Sequence, residues 1–101
     1  MTTAAKRVTN EATELLLEKA RESTKTLNWL KQMRSDYAFI THAGLRLQEN
    51  MRLQERWDEN ADNILASAVE LAMQKVDVLD KAIERTTEKH DKIMRELENW
   101  D

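Results

Sequence analysis

The sequence predicts an all-α protein, a long antiparallel helical hairpin or coiled coil assembling into a bundle, and three observations carry that reading. The 101 residues contain one glycine, Gly44, and no proline, so little in the chain interrupts a helix. Helix formers dominate the composition, and the Asn-Gly and Pro-Gly turns that short strands require are missing. In the C-terminal half, a mostly apolar seam recurs at alternating spacings of four and three: Leu65, Val69, Ala72, Val76, Leu79, Ile83, Thr86, His90, Ile93, Leu97 and Trp100, with Thr86 and His90 its polar members. That spacing is the seam of a helix packed lengthwise on another helix.

Taken in order, residues 1–9 read as a flexible leader, because Thr2, Thr3 and Thr9 are poor helix formers and no apolar period has begun. Residues 10–101 read as a single helical domain. Asn10 is a candidate cap, followed by Glu11 and Glu14 where the helix dipole favours negative charge. Leu16, Ala20, Ser23, Leu27, Leu30, Arg34 and Tyr37 then hold a heptad spacing, which predicts a first helix over about 10–43. Gly44 followed by Leu45 has the pattern of a helix stop, with a left-handed glycine and an apolar residue folding back toward Ile40.

Beyond Gly44 the apolar set Leu47, Met51, Trp57, Ala61 and Leu65 drifts, and residues 58–63 are rich in Asp and Asn, which favour caps. Two architectures follow. A hairpin pivoting at Gly44 pairs Leu27 with Ala61 and Ala20 with Ala68, and is the expected fold. A break at 58–63, with another helix starting at Ser35-Asp36, gives a three-helix bundle as the alternative. In the hairpin the second arm outruns the first after about Val78. The overhang then leaves Ile83, Ile93, Leu97 and Trp100 to be covered by a partner.

Charge and chemistry narrow the function classes. Charged residues make up 35% of the chain, above the roughly 25% of ordinary globular domains, which fits narrow apolar stripes flanked by long charged side chains. Net charge runs from +3 over residues 1–34 through 0 over 35–57 to −6 over 58–101. An acidic C-terminal half disfavours nucleic acid there, and Glu11, Glu14, Glu18 and Glu22 break up the basic N-terminal helix. No apolar run reaches the roughly 20 residues of a membrane span, and the start has no apolar signal core, so a cytoplasmic protein is expected.

With no cysteine, thiolate metal sites and thiol nucleophiles are excluded. A di-iron bundle needs Glu-x-x-His, but Phe39 and Thr87 stand three residues before His42 and His90. No glycine-bearing elbow or phosphate loop is possible with one glycine away from such a motif. No enzyme activity, cofactor or metal is expected.

The flanks of the late seam also speak to assembly. Val69, Val76 and Ile83 at a with Leu65 and Leu79 at d match a parallel dimer, yet Ala68, Ala82, Met73 and Met94 at e and g widen the stripe toward a larger bundle. The expected function is a non-enzymatic protein-interaction module or small subunit, partnered by itself or another helical subunit through residues 65–100. The alternative is a small chaperone or inhibitor that masks an amphipathic helix of its target with a Met, Leu and Trp groove.

Overall fold

A chain with almost no helix breakers needs a specific device to reverse, and it reverses once. The computed structural model describes residues 3–99, with side chains from residue 11 onward. It consists of two helices, α1 (Thr3–Leu53) and α2 (Glu59–Glu98), packed against each other as an all-α hairpin. Residues 35–36 lie inside α1, so a third helix is not needed. The first helix starts at Thr3, ahead of the expected Asn10, and Met1 and Thr2 lie outside the described residues.

The turn is made without glycine. Glu55 takes a left-handed backbone conformation at φ 54°. Around it, the Arg56 N–H donates to the Met51 carbonyl at 3.0 Å and the Glu55 N–H to the Arg52 carbonyl at 3.4 Å. This pair of bonds is a Schellman C-cap, with glutamate in the place usually given to glycine. Asp58 then caps α2: its Oδ1 accepts the Asn60 N–H at 3.2 Å, and its carbonyl accepts the Asp62 N–H at 2.9 Å. Glu59 and Asp62 add negative charge to the first turn.

Gly44 is therefore not the helix stop its pattern predicts. It lies buried within α1, with no left-handed backbone, and the first helix continues to Leu53 rather than ending near residue 43. The physical reason is packing. A Cβ built on Gly44 would fall well inside van der Waals contact with Val69 Cγ2, so the glycine admits α2 at close approach. The heptad of α1 also runs through it unbroken, as Tyr37, Thr41, Gly44, Gln48 and Met51, all half-buried or buried. The apparent drift after residue 44 came from following exposed Leu47 and Trp57 instead.

The helices divide into two compact units. The turn unit, Leu30–Ala82, buries Leu30, Gly44, Val69, Ala72 and Leu79. Across its helices Arg34 Nε donates to Asp80 Oδ1, and Gln48 Nε2 donates to Asp62 Oδ1 at 3.1 Å. The terminal unit joins Met1–Trp29 to Ile83–Asp101 and, among its described residues, buries Ala20 and Leu27. In it, Ser23 and His90 meet across the helices at 2.6 Å. The expected pairs Leu27 with Ala61 and Ala20 with Ala68 do not form, because the pivot lies at 54–58.

Candidate interaction surface

The shifted pivot changes what the late seam faces. Val69, Ala72 and Leu79 are buried, and Leu65, Val76, Ile83, Thr86, His90, Ile93 and Leu97 are half-buried; Trp100 lies outside the described residues. The period is thus the one read from sequence, but its cover is α1. In the turn unit the Gly44/Val69 contact sets Thr41 opposite Ala72 and Tyr37 opposite Val76. In the terminal unit His90 and Leu97 share a cleft with Leu17, Ala20 and Thr24. The overhang expected beyond Val78 does not form among the described residues, because α1 extends past Gly44 and moves the turn toward the C-terminus.

His90 sits in a polar stretch of the interface, and Thr86, one turn before it, is half-buried. Ser23 Oγ donates to the Ala20 carbonyl at 2.9 Å, which occupies its single hydrogen. His90 Nδ1 is then the donor in the 2.6 Å bond to Ser23 Oγ. Thr24 Oγ1 likewise donates to the Ala20 carbonyl at 2.9 Å, so these hydroxyls are satisfied within their own helix.

A second apolar pattern lies outside the seam. On α2, Ile64, Leu71 and Val78 recur at intervals of seven and stay 70%, 55% and 61% exposed. On α1, Ile40 and Leu47 are 45% and 52% exposed, and half-buried Met33 continues their spacing. With Val69 at a, the α2 trio occupies c positions, flanked by Ala61, Ala68 and Ala82 at g. With Gly44 at d, Met33, Ile40 and Leu47 occupy g.

Positions c and g lie on the same side of a helix, and in an antiparallel pair the g edge of one helix borders the g edge of the other. The two rows therefore share one face of the turn unit. The opposite edge bears out this geometry: Ala38 and Met73, both at e, line one cleft with Thr41 and Val76. In the terminal unit Lys19, Lys89 and Glu96 line the g edge, and Leu15 and Trp29 are exposed at c.

Sequence reading missed Met33, Ile40, Leu47, Ile64, Leu71 and Val78 as a surface. The signal was present, as a second seven-residue period beside the seam, two places after a on α2 and one place before a on α1, but the misplaced pivot kept its two halves apart. Among the described residues no group of three His, Asp or Glu side chains is arranged to hold a metal ion, and no helix is long and apolar enough to cross a membrane. Compared with known protein families, curated proteins and solved structures, the chain matches none.

Proposed function

We propose that this protein is a non-enzymatic helical interaction module that works through the apolar face of its turn unit. The carrying observation is the pair of heptad rows Ile64/Leu71/Val78 and Ile40/Leu47, exposed side by side on a hairpin whose own seam is already covered. Large apolar side chains aligned on one face mark a binding surface, whereas singly scattered ones need no explanation. Each regains roughly 1 kcal/mol or more when its open half is covered by another helix. The seam residues 65–97 then serve folding, and the face at c and g serves association.

The test is a photoreactive phenylalanine analogue placed at position 71, compared with the same analogue at position 70 in full-length protein in its native cell. Glu70 occupies b, away from the face. Irradiation should give adducts of defined mass from position 71 and few from position 70. Equal yields from both positions, or none from 71, would remove the face from the protein's function.

A further inference from the structure

We infer that the occupant of this face is a second copy of the chain, docked about a two-fold axis parallel to the helices so that both turns lie at the same end. The inference rests on the reading of the face as an interaction surface and names its partner. It follows from the placement of the two charges on that face. Asp36 occupies a c position on α1 and Lys75 a g position on α2. The register fixed by Gly44 and Val69 puts Asp36 level with Asp77, only two residues from Lys75. Axially that separation is about 3 Å.

Both charges are available. Lys75 has no hydrogen-bond or ion-pair partner among the described residues, and Asp36 accepts only from Gln32 Nε2 at 3.0 Å. A face carrying one charge of each sign at one level, on adjacent helices, is self-complementary under only one kind of two-fold. An axis along the helices lays α1 of one copy over α2 of the other at the same level. Asp36 then meets Lys75 of the second copy, and the reciprocal pair forms by symmetry. An axis across the helices at that level would lay α1 on α1 and bring like charges together instead.

The apolar residues fit the same docking. With levels preserved, Met33 falls between Val78 and Ala82 of the second copy, Ile40 between Leu71 and Lys75, and Leu47 between Ile64 and Ala68. Each long α1 side chain thus meets a pair of c and g positions, two of them containing an alanine that leaves room. At about half exposure each of the five aliphatics leaves on the order of 100 Å² open, so with Met33 and the alanines the face approaches the roughly 800 Å² per partner of a standard interface. The product is a four-helix bundle over the turn units.

Sedimentation equilibrium of the full chain tests the arrangement, with far-UV circular dichroism verifying that each variant stays helical. Wild type should be a dimer. Asp36→Lys and Lys75→Asp should each raise the dimer Kd by roughly 5- to 30-fold, since two pairs turn from attractive to repulsive. An equimolar mixture of the two variants should form mixed dimers within about threefold of the wild-type Kd. Each chain in that mixture carries like charges at positions 36 and 75, so the rescue can only come from contacts between chains.

A wild-type chain that is monomeric at high micromolar concentration overturns the proposal, as do a larger oligomer, insensitivity to the single substitutions, or failure of the mixture to restore binding. If the chain is monomeric but position 71 crosslinks to a different polypeptide, the second copy is wrong and the interaction surface stands. If no adduct forms either, both fall together.

Discussion

At the scale of single residues, Gly44 shows how one sequence signal can have two structural causes. A glycine followed by leucine after a helical run fits a C-cap, and it equally fits a point where two helices nearly touch. Only the continued heptad at Gln48 and Met51 distinguishes them, and Gln48 is polar enough to hide it. Within a helix Gly→Ala usually stabilises by about 0.5–1 kcal/mol, but here the new methyl must displace Val69, and overpacking costs about 1–3 kcal/mol. Gly44→Ala should therefore destabilise by about 1–2 kcal/mol in urea unfolding. In a Val69→Ala background the same change should stabilise, which a turn glycine would not do. The contact between Ser23 and His90 gives a second residue-scale test. Ser23→Ala should cost about 1 kcal/mol by removing the acceptor of the ring N–H, and adding His90→Leu should recover most of it. Additive losses in thermal melts would place the ring in solvent rather than in the interface.

For the elements, the helical state of nearly the whole chain was legible because nothing in its composition opposes it, and the seam of α2 was legible because its period never slips. The turn was not. Its left-handed position is held by Glu55, a residue with no special preference for that conformation, and the motif lacks the apolar residue after the cap that normally announces it: Arg56 stands there. The Asp and Asn content of 58–63 did mark the neighbourhood, because Asp58 is the cap of α2, while the chain reverses just before it. Glu55→Gly should relieve the left-handed strain and raise stability by up to about 1 kcal/mol. Asp58→Ala should lower it by about 1 kcal/mol through loss of the N-cap. Equilibrium unfolding of the two variants should thus move the midpoint in opposite directions; shifts of the same sign would contradict the turn described.

On the scale of the whole molecule, moving the pivot from 44 to 54–58 converts a helix expected to need an external partner into one packed on its own chain, and leaves a different apolar face exposed. The seam positions from Leu65 to Leu97 are buried or half-buried in a hairpin where a partner was expected to cover the later ones, because periodicity identifies a packed stripe without identifying what packs on it. Deleting residues from Glu84 onward should accordingly uncover Leu16, Ala20 and Ser23 in the terminal unit, where α2 lies against them. Helicity per residue should fall; the overhang arrangement would have left it unchanged. The division of labour between seam and face is tested most directly by thermal melting at several protein concentrations, for wild type and Leu71→Glu. Association through the face couples folding to concentration, so the wild-type Tm should rise as the protein is concentrated, whereas Leu71→Glu should melt cooperatively at a Tm independent of concentration. Indistinguishable melts for the two proteins, with no concentration dependence in either, would contradict the account.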